Sequence, residues 1–305
     1  MKSALIFLTL AASLAGQTKL AQKYGRIDVE IDGKPFTTFY YGSGTMKPYL
    51  HPLLTASGKT ITRTWPIAEG GKHTSDHPHH TGLWFTHGDV NGLDFWSNLT
   101  PGPKRGQVVL DTAIKAEGNR IVADFNWLDP EGKPLLKEHR QMTFSGDLKS
   151  RAIDFDLTLT AVAPVKFGDT KEGTFAIRLA DELAEKGGSG TMTSAEGGAK
   201  MKAVWGKPSP WVDYAGSLEG EPVGIAIFDH PSNPRHPTTW HARDYGLFAA
   251  NIFGQHDFAN DKAKDGSLEL APGKNLHFRY RVWIHGGLTA DADLKGEFGK
   301  FSATK

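Results

Sequence analysis

The stretch LHFRYRVWI, residues 276–284, decides the fold class of this chain. Its apolar side chains fall on every second residue, and basic or aromatic residues fill the positions between them. The same alternation occurs in IDFDLTL, residues 153–159, and in RIDVEI, residues 26–31. Because successive side chains of a β-strand point to opposite faces, this period of two predicts antiparallel strands that each bury one face.

Weaker alternation recurs along most of the chain, and helical periodicity is scarce. Further strands are predicted near residues 36–41, 59–65, 107–116, 120–127, 135–144, 174–180 and 222–229, with turn pairs such as Asp32-Gly33 and Pro272-Gly273 between strands. Only residues 181–186 and 290–298 suggest short helices. Many strands with little helix predict an all-β protein built as a large antiparallel two-sheet sandwich.

The N-terminal residues have the pattern of an export signal. Lys2 precedes an apolar run from Ala4 to Leu14, and Ser13 and Ala15 are placed as in a cleavage site of small residues. The run is shorter than the ~20 residues of a membrane-spanning helix; the alternative is a buried N-terminal strand. We expect a signal peptide at residues 1–16, a single domain at residues 17–305, and a secreted or periplasmic protein without membrane insertion after cleavage.

The composition narrows the classes of ligand. The 305 residues contain 35 Lys and Arg against 34 Asp and Glu, without a dense basic run, so nucleic acid and anionic membranes are poor partners. There are no cysteines, which excludes disulfides and thiolate metal sites. The 13 His and 8 Trp indicate a site that stacks on a small molecule and moves protons or holds a metal.

The first dense cluster of polar residues is DHPHHTGLWFTHGDVNG, residues 76–92. In an extended segment His77 and His79 would share one face, and neutral imidazoles on one face are a common way to hold a metal. The spacing of His87 and Asp89 matches two arms of a 2-His-1-carboxylate site. The candidate metal ligands are therefore His77, His79, His87 and Asp89, and a divalent metal is the candidate cofactor.

The second cluster is FDHPSNPRHPTTWHARDY, residues 228–245. Its three prolines stiffen a loop that presents His, Arg and Trp side chains. Arg suits a carboxylate or phosphate, and the flat face of Trp suits a sugar ring. The candidate substrate-binding residues from the two clusters are Trp84, Asn91, Arg235, Trp240 and Arg243. Glu172, just before a strand that carries Arg178, is a further candidate acid or base.

A purely structural role is the alternative to each of these functional assignments. An isolated histidine in a β-protein is more often a satisfied hydrogen-bonding residue than a ligand, and a Trp is often core packing. Asp76 and Asp229 have the alternative role of orienting a neighbouring histidine or capping a turn. The sequence contains no P-loop, no dinucleotide-binding glycine pattern and no HExxH motif.

Five motifs resemble a known family: HPHHTGLWF (77–85), HGDVNG (87–92), DFW (94–96), FDHPSN (228–233) and RYRVWIH (279–285). The chain resembles, over residues 25–287, a family of unknown function that carries the label PmoA. The label implies a methane oxygenase subunit, which would need several long apolar helices. The family is similar to sugar mutarotases and some polysaccharide lyases. This resemblance implies a large antiparallel two-sheet supersandwich with a carbohydrate cleft on a concave sheet face, where histidines serve as acid and base.

Three functions remain open from the sequence. The first is a secreted carbohydrate-active lyase, epimerase or hydrolase with acid–base catalysis by His79, His80, His87 and His241, with or without a metal. The second is a non-catalytic carbohydrate-binding module, which would bind without turnover. The third is a non-haem oxygenase that uses His87, Asp89 and a distant histidine such as His241, which would contain iron.

Overall fold

The computed structural model describes residues 16–68 and 74–304. The predicted export signal lies outside these residues except for Gly16. The strands are β1 (Thr18–Lys23), β2 (Arg26–Ile31), β3 (Lys34–Tyr40), β4 (Tyr49–Leu50), β5 (Leu83–His87), β6 (Gln107–Leu110), β7 (Lys115–Glu117), β8 (Arg120–Leu128), β9 (Pro134–Gly146), β10 (Ser150–Ala161), β11 (Val165–Phe167), β12 (Gly173–Arg178), β13 (Thr191–Ser194), β14 (Trp211–Leu218), β15 (Glu221–Asp229), β16 (Thr239–Arg243), β17 (Leu247–Asn251), β18 (Leu268–Leu270) and β19 (Asn275–Gly286).

Two large antiparallel sheets contain most of these strands. The first sheet has the order β1-β2-β3-β4-β5-β12-β17-β16. The second sheet has the order β13-β14-β15-β19-β10-β9-β8-β6, with β7 paired to β8, and β11 pairs with β18 in a small separate sheet. This architecture confirms the predicted all-β two-sheet fold, and residues 276–284 lie in β19 at the middle of the second sheet.

The core lies between the facing sides of the two sheets. On β19, Phe278, Tyr280 and Val282 are fully buried, as the alternation predicts. Tyr280 stacks on Phe175 of the first sheet with ring centroids 4.5 Å apart, so the two sheets meet in direct aromatic contact. The intervening polar residues of β19 face away from the core; Arg281, for example, pairs with Asp154 of β10.

The helices are short and lie at the periphery: α1 (Lys200–Val204), α2 (Gln255–Ala259) and α3 (Leu294–Ser302). The helix predicted at residues 290–298 is α3, which begins four residues later because Asp293 caps it by accepting a hydrogen bond from Gly296 N. Residues 181–186 form only a 3₁₀ turn at Asp181–Leu183. Of the helices that the structure describes, none is long and apolar enough to cross a membrane.

One predicted strand is absent from the described part of the chain. Residues 59–65 contribute only isolated bridges, from Thr60 to Leu54 and from Thr62 to Leu179. Pro66 lacks the N–H group that would extend a ladder, and the segment instead delivers Arg63 to the interior of the candidate site.

Candidate functional site

The strands β5, β12, β17 and β16 carry functional side chains on the face of the first sheet that is turned away from the core, here called the outer face. Trp84 opposes Ala176, Ala176 opposes Ala249, and Ala249 opposes His241. Directly opposed residues of antiparallel strands project to the same face, so these four form one row.

A second row on the outer face is basic. Arg178 and Arg243 both oppose Leu247, one from each side. The outer face therefore presents two arginines, a histidine and a tryptophan at positions fixed by the sheet register, and loops cover it from above.

The loop of residues 74–80, here called the histidine loop, folds over this face. Four rings stack in a column: Tyr245 on His77 at 5.1 Å, His77 on His80 at 4.9 Å and His80 on Trp84 at 5.3 Å. His79 meets the edge of His80 at 4.4 Å. The structure thus brings together His77, His79, His80 and Trp84, and it stacks His80 on His77, whereas an extended segment would have put these two on opposite faces.

Two buried arginines hold the histidine loop in place. Arg63 and Arg178 have no exposed side-chain surface, and both donate to Asp76 Oδ1, at 2.6 and 2.7 Å. Arg63 also donates to the carbonyl of His77 at 2.9 Å, which fixes His77 in a left-handed backbone conformation with φ of 44°. Burial alone would raise the pKa of Asp76, but the two guanidinium groups and His77 outweigh it and lower the pKa.

The arginine contacts also fix the tautomers of two histidines. A guanidinium only donates hydrogen bonds, so His80 Nδ1, 3.3 Å from Arg178 Nη1, must be the acceptor and Nε2 must carry the proton. His80 Nε2 is buried and has no partner among the described residues. In the same way Arg243 Nε donates to His241 Nε2 at 3.2 Å, which makes Nδ1 the protonated nitrogen of His241.

A cavity of about 500 Å³, here called the histidine pocket, opens beside the ring column. Its lining includes the three histidines of the loop together with Lys171, Glu172, Arg243 and Tyr245. Glu172 Oε1 lies 3.4 Å from Lys171 Nζ. Three imidazoles, a carboxylate, two basic groups and an aromatic ring therefore surround one volume, which lies within the size range of small-molecule pockets.

Three histidines of this site, His79, His80 and His241, are neutral at neutral pH. Burial, followed by the charges of Lys47 and nearby cations, lowers the pKa of His79 to about 3. Burial and the same positive surroundings hold the pKa of His80 well below its usual value. Burial and Arg243 lower the pKa of His241 to about 3. These imidazoles are available as proton or hydrogen-bond acceptors and donors, not as cations.

Lys47 and Arg63 of the site carry no signal in the sequence, and Trp96 belongs to the DFW motif, which assigns it no role. Lys47 is buried, donates to Asn98 Oδ1 at 3.1 Å and to the carbonyl of Trp96, and burial lowers its pKa to about 7. Trp96 packs on Trp84 with ring centroids 5.0 Å apart. Lys47, Arg63 and Trp96 are distant in sequence from the histidine loop, and only the fold places them against it.

His87 and Asp89 do not join this site. His87 lies three residues after Trp84 on β5, so it points to the opposite, core-facing side, where it is buried 4.5 Å from the ring of Phe253. Its Nε2 bonds to the carbonyl of Gly168 at 2.8 Å, and burial lowers its pKa to about 4. The structure therefore separates His87 from the other predicted catalytic histidines.

The predicted metal-ligand set is likewise not assembled. Asp89 Oδ1 accepts from Gly92 N at 2.8 Å in a tight turn, and His77 and His79 belong to the outer face. Within residues 16–68 and 74–304, no three His, Asp or Glu side chains are grouped to hold a metal ion.

Two of the predicted substrate-binding residues, Asn91 and Arg235, have structural roles instead. Asn91 fixes a loop, donating to the carbonyl of Pro164 at 3.0 Å. Arg235 donates to the carbonyls of Ile252 and Gly266 at 2.8 and 2.6 Å, which ties two loops together. Both side chains bond to backbone carbonyls and stabilise loops, so the prediction that they bind substrate is not supported.

Trp240 is corrected to a core residue. It is fully buried, its Nε1 donates to the carbonyl of Ser209 at 2.9 Å, and its ring stacks on Phe248 between the sheets. Its chain neighbour His241 faces the other side of the sheet. Of the predicted substrate-binding residues, Arg243 lines the histidine pocket, and Trp84 is the ring at the end of the column, in contact with His80.

A larger cavity of about 730 Å³ lies elsewhere, beside the second sheet. Trp283 and His285 line it together with exposed acidic residues. His285 Nε2 is 3.2 Å from Asp213 Oδ1, whose Oδ2 accepts from Thr289 Oγ1 at 2.6 Å. These polar groups of the larger cavity already satisfy one another, whereas the smaller histidine pocket is lined by His80, whose buried Nε2 has no partner among the described residues.

Comparisons with solved structures return proteins of low sequence identity. An α-galactosidase from Lactobacillus brevis matches with a TM-score of 0.42 and 9% identity, over 93% of this chain and 41% of that chain. Heparan sulfate lyase HepC from Pedobacter heparinus matches with a TM-score of 0.39 and 12% identity, over 94% of this chain and 38% of that chain. A galactose mutarotase-like protein from Lactobacillus casei matches with a TM-score of 0.41 and 8% identity, over 88% of this chain and 100% of that chain. The chain spans about two fifths of the length of the first two proteins.

Sequence comparison identifies the family but not an activity. No curated protein sequence matches the chain. The model of a family of unknown function, DUF6807, matches residues 26–298, and the chain belongs to this family. Membership of a family of unknown function is thereby confirmed, but the match does not carry the PmoA label.

Proposed function

We propose that this member of a family of unknown function is a secreted or periplasmic enzyme that acts on a carbohydrate by acid–base catalysis in the histidine pocket. One observation carries the proposal: the neutral imidazole of His79 and the carboxylate of Glu172 line the same open cavity. Two groups that exchange protons on either side of a bound sugar are the minimum for a lyase, epimerase or hydrolase.

The individual groups have distinct roles in this proposal. The imidazole of His79 is neutral, and a negative charge on the bound sugar would raise its low pKa so that it accepts a proton from the sugar. Glu172 is the second proton-transfer group. His80 offers its buried, unpartnered Nε2–H to a substrate oxygen, and this donor is held in position by Arg178 on the other side of the ring.

The walls of the pocket suit a sugar ring. Tyr245 and His77 are stacked and both line the cavity, with 42% of the His77 side chain exposed. Flat rings with polar edges bind the apolar face of a sugar and hydrogen-bond to its hydroxyls. Met201 extends the apolar lining of the pocket.

The methane-oxygenase activity implied by the PmoA label is not our proposal. It would need His87, Asp89 and a third ligand such as His241 around one iron. His87 points into the core and His241 lies on the outer face of the same sheet. The side chains that do converge are neutral imidazoles, arginines and a carboxylate, which suit proton transfer.

The test is turnover of a panel of neutral and acidic saccharides, followed by ¹H NMR of the anomeric protons. This readout detects hydrolysis, elimination and epimerisation alike. His79→Gln and Glu172→Gln should each lower kcat by about 10²–10⁴-fold while sugar binding persists. His139→Gln is the matched control, since His139 is exposed and pairs with Asp124 on the second sheet.

Two outcomes would count against the proposal. Unchanged turnover in His79→Gln and Glu172→Gln would move the chemistry away from this pocket. Saccharide binding without turnover in the wild-type protein would make the chain a carbohydrate-binding module instead of an enzyme.

A further inference from the structure

Arg243 is oriented from two sides. Its Nε donates to His241 Nε2 at 3.2 Å, and its guanidinium plane lies over the ring of Trp205 at 4.2 Å. A cation–π contact and a hydrogen bond to a buried neutral ring together fix the plane of the group. The terminal Nη1 and Nη2 remain for other partners, and Arg243 lines the histidine pocket.

Several other interior arginines of the chain have a carboxylate partner, which Arg243 lacks, while Arg151 and Arg235 bond to backbone carbonyls. Arg63 and Arg178 share Asp76, and Arg281 grips Asp154 with two hydrogen bonds of 2.6 and 2.7 Å. Among the described residues, the partners of Arg243 are the neutral His241 and Trp205, and none is a carboxylate. A half-buried guanidinium fixed in this way is ready for a carboxylate supplied by a ligand.

The surroundings of the pocket favour a negative ligand. Two buried guanidinium groups, Arg63 and Arg178, lie behind the histidine loop and share the single carboxylate of Asp76. Of the acidic residues that line the pocket, Glu172 is 3.4 Å from Lys171 Nζ, and Asp244 is the other. Two guanidinium groups on one carboxylate leave a net positive charge behind the loop, which would stabilise an incoming anion.

A second observation points to the same volume. His80 Nε2–H is a buried donor without a partner among the described residues, and His80 lines the pocket. An unpaired buried donor is costly unless a ligand or water accepts from it. A ligand oxygen would satisfy it.

We infer that the carbohydrate carries a carboxylate, as a uronic acid does, and that the Nη1 and Nη2 groups of Arg243 receive it while His80 Nε2–H donates to another sugar oxygen. This inference rests on the proposed function and names its substrate class. The planar, two-pronged fork of arginine matches a planar carboxylate better than the compact charge of lysine does.

The experiment is isothermal titration calorimetry of the purified protein with D-glucuronate and D-galacturonate, against D-glucose and D-galactose as the neutral counterparts. Quenching of tryptophan emission gives an independent readout, because Trp205 contacts Arg243 directly. We expect at least one uronate to bind at least about tenfold more tightly than its neutral counterpart. Arg243→Gln should remove that preference, and Arg243→Lys should restore only part of it.

Arg120→Gln is the matched control, because Arg120 is an exposed residue on β8 of the second sheet. The comparison of acidic with neutral sugars in the wild-type protein needs no variant, so it decides whether the ligand carries a carboxylate even where Arg243→Gln fails to fold, and Arg243→Lys then tests the role of Arg243.

The possible results separate this inference from the proposed function. Equal or tighter binding of the neutral sugars, or uronate binding that survives Arg243→Gln, would overturn the carboxylate assignment and leave the proposed function standing. Preference for galactose 6-sulfate over galacturonate would overturn it as well, since a sulfate is not planar. Absence of binding and turnover with every sugar, acidic or neutral, would overturn the proposed function too.

Discussion

Replacing Asp76 with Asn should destabilise the protein by about 2–3 kcal/mol. Asp76 Oδ1 is the shared acceptor of Arg63 and Arg178, two side chains with no exposed surface. Removing one partner of a buried ion pair costs about 3–5 kcal/mol, because the other charge is left uncompensated. The side chain of Asp76 is 39% exposed, and Asn keeps an oxygen acceptor, so solvent and the amide recover part of this loss.

The assay is urea unfolding followed by tryptophan fluorescence, with the free energy extrapolated to water. Asp124→Asn is the matched control: Asp124 pairs with His139 at 2.7 Å, but both side chains are about half exposed, so its loss should cost less than about 1 kcal/mol. Equal unfolding free energies for Asp76→Asn and the wild-type protein would refute the view that Asp76 neutralises two buried guanidinium groups.

The remaining predictions concern the other buried polar groups and the core. Burial alone would lower the pKa of His285, but Asp213 outweighs it and raises the pKa. The pair therefore stabilises the fold fully below the unfolded pKa of ~6.5, and this stability is lost as pH rises through the raised folded pKa. Asp213→Asn should thus cost more unfolding free energy at about pH 6 than at about pH 9, measured by urea unfolding; an equal cost would contradict the shift. Trp240→Ala should cost about 3–5 kcal/mol in the same assay and leave the sugar affinity of the folded protein unchanged; a lost affinity with intact stability would return Trp240 to the site.

The fold was largely predictable because its strands alternate in a way that burial enforces. Leu276 to Ile284 and Ile153 to Leu159 became adjacent central strands, β19 and β10, in register with each other. The irregular segment at residues 59–65 was not predictable from sequence. Its composition resembles that of a strand, but the segment forms only isolated bridges and brings Arg63 to Asp76 in the interior.

The site was predictable only where its residues are contiguous. His77, His79 and His80 stand together because they share one loop, and their density in the sequence was the signal. Lys47 and Trp96 reach them only through tertiary packing, so no local pattern marks Lys47, and the DFW motif does not show what Trp96 contacts.

The parity of side chains along strands accounts for the misplaced residues. Trp84 and His87 are three residues apart on β5, and Trp240 and His241 are neighbours on β16. An odd spacing in a strand puts two side chains on opposite faces, so only one of each pair reaches the outer face. A cluster of polar residues along the sequence therefore contains residues from both faces of a strand. Only the position of each residue in its strand shows which face it occupies.

The measurement that tests the central claim most directly is a crystal structure of the protein with a bound saccharide. We expect the sugar in the histidine pocket, with its ring against Tyr245 and His77 and an acidic group at Arg243. A sugar bound instead in the 730 Å³ cavity beside Trp283, with the histidine pocket empty, would contradict the claim that the histidine pocket is the site of carbohydrate chemistry.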